Sequence, residues 1–181
     1  MTVFYLVRHG EPDWCYNDRL INEQYRLKGH GRDLAPLTAA GMEQAKMAAA
    51  DSRIRNSELI VSSPYTRALQ TAAIIVRETG LELRVEVDLR EWQPDLTFEY
   101  DSLDRLHALK QDYQNHHGIY PPDAAKVWES KTMLKQRMEA VLEKYRHFPR
   151  VTVVAHGEIF RTQKNLEELP YCSVTELIKE F

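Results

Sequence analysis

Cysteine is scarce in this chain of 181 residues, with only Cys15 and Cys172 present. They stand far apart, in no spacing that matches a disulfide framework or a zinc site. Long apolar runs are missing too, so no segment reads as a membrane-spanning helix. The first apolar run starts at Val3 and meets Arg8 at once, which leaves no secretory hydrophobic region. A soluble, cytoplasmic protein is therefore expected. Basic residues are not in excess: the net charge is -3, and nothing argues for nucleic acid. Repeats, low-complexity tracts and linker-like breaks are also absent. The hydrophobic content of 43% suits one domain over residues 1–181 with a proper core.

What is present is organised around Val3-Phe4-Tyr5-Leu6-Val7-Arg8-His9-Gly10-Glu11-Pro12. Five consecutive apolar residues, rich in β-branched and aromatic types, predict a strand buried on both faces. Gly10 lets the backbone turn and Pro12 forbids the strand from continuing. Arg8 and His9 thus come to the carboxyl end of a buried strand, where ligands sit in an open α/β sheet. The pattern recurs. Val151-Thr152-Val153-Val154-Ala155 ends in His156-Gly157, and Glu58-Leu59-Ile60-Val61 runs into a segment that ends at Arg67. Helical crossovers would make these strands parallel and put their carboxyl ends on one edge. His9, His156, Arg8 and Arg67 then converge in an anion site that contains a nucleophile.

The remaining elements follow from local signals. Residues 13–35 read as a long loop, functional or mobile. A helix is expected from Ala39 to about Arg53, capped by Thr38 and burying Met42, Ala45 and Ala49. A second runs from a Ser63 cap, with Pro64 at its first position, to about Thr79, and Gly80 ends it. Arg67 falls in its first turn, where the helix dipole disfavours a cation, which fits an arginine aimed at an anion. Leu83 to Leu89 alternates as a half-exposed edge strand and leads into Arg90-Glu91-Trp92. Residues 94–122 read as an insertion over the sheet edge, with a helix near 103–113. A long amphipathic helix (124–147), a strand (151–155), a short helix (158–166) and a last strand (174–178) complete the chain.

Several blocks together carry a resemblance. Leu6-Val7-Arg8-His9-Gly10-Glu11, Ser62-Ser63-Pro64-Tyr65-Thr66-Arg67-Ala68-Leu69-Gln70-Thr71-Ala72, Leu89-Arg90-Glu91 and Val154-Ala155-His156-Gly157 resemble the histidine phosphatase superfamily. The likeness is to its phosphoglycerate mutase-like, Arg-His-Gly branch, and the blocks keep that family's order. Leu37 to Ala45 is similar to its first-helix pattern. The fold this implies is α/β: a three-layer α/β/α sandwich on a mostly parallel sheet, with one antiparallel strand at an edge.

The resemblance also implies a chemistry. His9 would be the nucleophile that becomes phosphorylated, with Arg8, Arg67 and His156 holding the phosphoryl oxygens. Glu91 would give a proton to the leaving group and then act as base toward water. A phosphoryl group in transfer spreads charge over three oxygens, and arginine forks suit those oxygens and stay protonated. Cationic side chains then do the electrostatic work, so neither a metal nor a cofactor is implied. The activity implied is a metal-independent phosphomonoester hydrolase acting on a small phosphorylated metabolite. Two alternatives stay open. One is a mutase that passes the phosphate to a second hydroxyl. The other is a binding protein that keeps the pocket without turnover.

The chain also departs from the family. Cys15 stands where asparagine is usual, six residues after the nucleophile, and nearby Asn17 is a candidate substitute. Glu158 follows His156-Gly157 as an anion beside an anion site, either turned away or facing a cationic or hydroxylated substrate group. Trp92-Gln93-Pro94-Asp95 replaces a glycine-rich segment. Glu11 is read as pocket residue or turn stabiliser, and His116-His117 as polar loop rather than metal site. Trp14, Trp92, Phe98 and Tyr100 divide evenly between lining a pocket and packing into the core or a lid.

Overall fold

The computed structural model describes residues 1–16, 33–98 and 103–181. Asn17, Tyr100 and most of the 13–35 loop lie outside them.

Five strands form one sheet: β1 (Thr2–Arg8), β2 (Leu59–Ser62), β3 (Glu82–Val85), β4 (Arg150–Ala155) and β5 (Val174–Lys179). Their order is β3-β2-β4-β1-β5. The pairs β1–β4, β2–β4 and β2–β3 are parallel, and β5 runs antiparallel to β1 at the edge. The three apolar strands β1, β2 and β4 are the inner ones, so their unbroken apolar runs meet protein on both faces. The alternation along a strand divides them between two layers. Phe4, Leu6, Leu59, Val61, Val151 and Val153 pack on one side with Leu134, Met138 and Val141. Val7, Ile60 and Val154 pack on the other with Ala48, Ala68, Ala72 and Ile75. The first layer is supplied by α5 (Lys131–Lys144), the second by α1 (Ala39–Ala48) and α3 (Thr66–Thr79). This is the expected three-layer arrangement.

Several helices are shorter than the patterns predicted, for local reasons. Thr38 caps α1 by accepting from the Gly41 N–H at 2.9 Å. The helix then stops at Ala48, and Asp51 caps a separate turn, α2 (Ser52–Arg55). Gly41, Ala45 and Ala48 form the buried face, whereas Met42 is exposed. At Gly41 the helix lies so close to the Gly10 turn that a Cβ would meet the Glu11 carbonyl oxygen at 2.3 Å, so the glycine, not Met42, faces inward there. Ser63 does not cap α3, which starts at Thr66 after Tyr65; its hydroxyl accepts from the Tyr65 N–H at 3.3 Å, just ahead of the helix. Gly80 ends α3 in the left-handed conformation, φ 73°, as expected. β3 stops at Val85, and Val87–Leu89 forms a 3-10 turn instead of continuing the strand. The predicted long helix begins only at Lys131, where Ser130 caps it by accepting from the Met133 N–H at 3.2 Å. Two further helices are α4 (Leu103–Asn115) and α6 (Gly157–Arg161). Among the described residues no helix is long and apolar enough to cross a membrane.

Candidate active site

β1 and β4 are register partners up to Arg8 and Ala155, so His9 and His156 leave the sheet side by side. The His9 N–H still donates to the Ala155 carbonyl, 3.0 Å, which extends the pairing by one residue. Their rings lie 5.2 Å apart between centroids. His9 is 4% exposed and His156 fully buried.

The turn after His9 is set by contact between two glycines. A Cβ on Gly10 would lie 2.5 Å from the Gly41 carbonyl oxygen, and one on Gly41 would lie 2.3 Å from the Glu11 carbonyl oxygen. The Gly10 N–H donates to Thr71 Oγ1 at 3.0 Å, tying the turn to α3. Glu11 belongs to this turn: its N–H donates to Gln44 Oε1 at 2.8 Å, and its carboxylate accepts from the Thr38 hydroxyl at 2.8 Å.

His9 is fixed at both ring nitrogens. Nδ1 lies 2.8 Å from the Gly10 carbonyl oxygen, and the Arg67 Nε–H points at Nε2 across 3.3 Å. A carbonyl can only accept and a guanidinium can only donate. The imidazole is therefore neutral, protonated on Nδ1, with its lone pair on Nε2. Burial first, then the neighbouring Arg67 charge, lower its pKa from 6.5 to about 3; the Gly10 bond opposes this and Arg8 adds to it.

Arg67 is 2% exposed. Its guanidinium carbon lies 5.2 Å from the Trp14 ring centroid and 5.3 Å from that of Tyr65. These rings shield the charge from water on two sides. Arg8 donates through Nη1 to the Leu169 carbonyl and stacks over Tyr171 at 4.3 Å. Its Nε is buried without a hydrogen-bond partner among the described residues. His156 Nε2 lies 2.7 Å from Ser63 Oγ, the second partner of that hydroxyl.

Glu91 sits beside this group, at the end of the segment that follows β3. Its Oε1 accepts from the Trp92 N–H at 2.9 Å, and its Oε2 from the Glu158 N–H at 3.3 Å. Arg8, Glu91, Trp92, Lys110 and Glu158 all line one open cavity of about 290 Å³, with Lys110 contributed by α4. Glu158 does not stand as a bare anion there. Its Oε1 is 2.9 Å from Lys110 Nζ and 3.6 Å from Arg161 Nη1.

The expected site residues thus divide. His9, His156, Arg8 and Arg67 come together, and Glu91, Trp92 and Glu158 share the cavity that Arg8 borders. Glu11 holds the turn. Cys15 is exposed, with its N–H donating to Asp13 Oδ1 at 3.1 Å. Trp92 does both things asked of it, being 2% exposed and also lining the cavity. Phe98 is 43% exposed. Tyr171, Tyr65, Ser63 and Lys110 were not singled out for the pocket. Tyr171 and Lys110 carry no short motif, whereas Ser63 and Tyr65 lie in the Ser62-to-Ala72 block, where Ser63 read as a helix cap.

This constellation is that of a known family. The chain belongs to the histidine phosphatase superfamily (branch 1), whose profile matches residues 4–170. A probable phosphoglycerate mutase, GpmB, of Photorhabdus laumondii is 32% identical over 162 residues, which span 87% of this chain and 70% of the relative. The same-named protein of Escherichia coli O1:K1 is 30% identical over 162 residues. Among solved structures, a mycobacterial glucosyl-3-phosphoglycerate phosphatase in complex with VO3 superposes with a TM-score of 0.73 at 22% identity, covering 100% of this chain and 93% of that one. Bacillus stearothermophilus YhfR gives a TM-score of 0.70 at 24% identity, covering 99% and 92%. At these identities the two structures show the fold.

Proposed function

We propose that the protein is a phosphomonoester hydrolase that acts through a phosphohistidine on His9, with a small phosphorylated metabolite as substrate. One observation carries the reading: a buried imidazole, neutral and protonated on Nδ1, presents its Nε2 lone pair to a buried guanidinium 3.3 Å away. A bound phosphate monoester takes over the Arg67 donor, which frees that lone pair to attack phosphorus. Arg8 offers its buried Nε–H, and His156 completes the lining of the phosphoryl oxygens.

In the first step the Nε2–P bond forms and the ester O–P bond breaks. The leaving oxygen takes a proton from the Glu91 carboxyl. In the second, water attacks the phosphohistidine and gives a proton to the Glu91 carboxylate. Inorganic phosphate departs and His9 is restored. The cations stabilise the transferring group, so the reading requires no metal. The 94–122 segment belongs to the same single domain in this reading and roofs the leaving-group cavity through α4.

The test is hydrolysis of an aryl phosphate with excess chelator by wild type and His9→Ala. Turnover that survives chelation and vanishes in the variant supports the reading. Unchanged turnover in the variant overturns it, and a silent wild type shifts weight to a binding protein. A second reading, phosphotransfer within a sugar acid, is favoured by the mutase name of the curated relatives. Transfer of the phosphoryl group to an added hydroxylated acceptor, rather than to water alone, would reveal it.

A further inference from the structure

Glu129 and Arg137 form an ion pair that the chemistry above does not use. Their side chains are 2% and 8% exposed, and Arg137 Nε lies 2.6 Å from Glu129 Oε1. Nη2 reaches Glu129 Oε2 at 2.8 Å, so the pairing is bidentate. Replacing such a buried pair with apolar residues is often neutral or stabilising, so stability alone is a weak reason for it.

The remaining donors show what it holds. Arg137 Nη1 donates to the Asp88 carbonyl at 2.5 Å and the Arg90 carbonyl at 2.6 Å, and Nη2 donates to the Glu91 carbonyl at 3.2 Å. Glu129 grips the other end of the same segment. Its Oε2 accepts from the Gln93 N–H at 3.1 Å, its N–H donates to the Gln93 carbonyl at 2.9 Å, and its carbonyl accepts from the Trp92 indole at 2.8 Å. Residues 88–93 have no helix or strand of their own beyond the 3-10 turn ending at Leu89. The buried pair thus supplies the anchors that regular structure would otherwise give. Arg137 projects from the middle of α5, a helix bedded in the core, so the anchor is rigid.

We propose that Glu129 and Arg137 are positioning residues for the Glu91 carboxyl, fixing the backbone from which it reaches the leaving-group oxygen. This rests on Glu91 being the proton donor. A misplacement of about 1 Å at a reacting group lowers rates by about 100-fold. The loss should appear only where a proton must be given. An alkyl phosphate expels a strongly basic alkoxide and needs the donor, whereas p-nitrophenyl phosphate expels a stable phenolate and does not.

The experiment compares kcat/KM, which isolates the first step, for glycerol phosphate and p-nitrophenyl phosphate. Glu91→Gln calibrates it and should lose about 100-fold or more on the alkyl ester, with a much smaller loss on the aryl ester. Arg137→Lys keeps the charge but loses the fork. The double variant Glu129→Gln/Arg137→Met leaves no buried charge unpaired. Both should lose about 10- to 100-fold on glycerol phosphate and about threefold or less on p-nitrophenyl phosphate. If Glu91→Gln discriminates between the esters and these variants lose both activities equally, the positioning role is overturned while Glu91 keeps its own. If Glu91→Gln does not discriminate, the proton-donor reading falls and takes this inference with it. If neither pair variant folds, the pair serves stability and the inference is likewise overturned.

Discussion

The Nε–H of Arg67 points at Nε2 of His9 across 3.3 Å, with both side chains buried. In the proposed mechanism the guanidinium is a stand-in for the electrophile, occupying the lone pair until a phosphoryl group arrives. The same charge disfavours a proton there. Water, screened out by the Trp14 and Tyr65 rings, cannot weaken it much.

A dependence of stability on pH follows. Burial and the Arg67 charge lower the His9 pKa to about 3 in the folded protein, from an ordinary 6.5. Between these values the unfolded chain holds a proton that the folded one refuses. Stability is therefore unaffected by His9 above 6.5 and falls as pH drops from there toward 3. Urea unfolding of wild type and His9→Asn between about pH 8 and about pH 4.5 should show wild type losing more stability on acidification. Parallel curves would mean that His9 is not held neutral by the fold.

Removing the Arg67 charge separates its two roles. Burial is the largest cause of the lowered His9 value and Arg67 the second. In Arg67→Gln the His9 pKa should therefore rise yet stay below 6.5. Titration of the imidazole by NMR reads this directly. Activity on an aryl phosphate should fall by about 100-fold or more, as expected when a preorganised donor is lost. A variant with full activity would remove Arg67 from the phosphoryl site.

The glycine contact makes a prediction about stability. An alanine at position 10 would put its Cβ 2.5 Å from a backbone oxygen of α1, which no side-chain rotation relieves. Gly10→Ala should cost about 1–3 kcal/mol or more, measured by urea denaturation, and should displace His9 enough to lower activity. Gly80→Ala is a useful contrast. Nothing lies within 4 Å of its Cβ position, but its φ of 73° penalises any side chain, so it should lose stability without losing activity.

How much of this was legible in the sequence depends on the range of the interaction. β1 and β4 end in Arg8-His9 and His156, and their apolar runs are long enough to mark inner strands without structural help. Their convergence follows from parallel pairing alone. The ends of α1 and α5 were not legible, because alanine-rich and charged stretches favour helix locally. The Ser130 cap decided where α5 starts, and the Asp51 cap opens a separate turn after α1 has ended at Ala48. Ser63 looked like a helix cap because serine before proline usually is one, but α3 starts only at Thr66, and the hydroxyl reaches the Tyr65 N–H ahead of it and the buried His156. Glu129 and Arg137 gave no signal at all. Arg137 donates to backbone carbonyls 49 and 47 residues away in the chain, and the Glu129 carboxylate accepts from the Gln93 backbone N–H; main-chain groups carry no residue code.

Glu158 leads to a test of what the cavity accepts. Its carboxylate sits between Lys110 and Arg161, at 2.9 and 3.6 Å, on the wall shared with Glu91 and Arg8. As it stands, the two cations are largely answered within the protein. In Glu158→Gln they would face the leaving group with no counter-charge. Esters whose leaving group carries a carboxylate should then gain relative to neutral ones. The ratio of kcat/KM for phosphoglycerate over glycerol phosphate should rise by about three- to tenfold at low ionic strength and shrink toward the wild-type ratio in high salt. The salt dependence is what distinguishes a charge effect from a change of shape, because partly exposed charges are screened whereas a steric gain is not. An unchanged ratio would place Lys110 and Arg161 outside the path of the leaving group and leave Glu158 as a tie between α4 and α6.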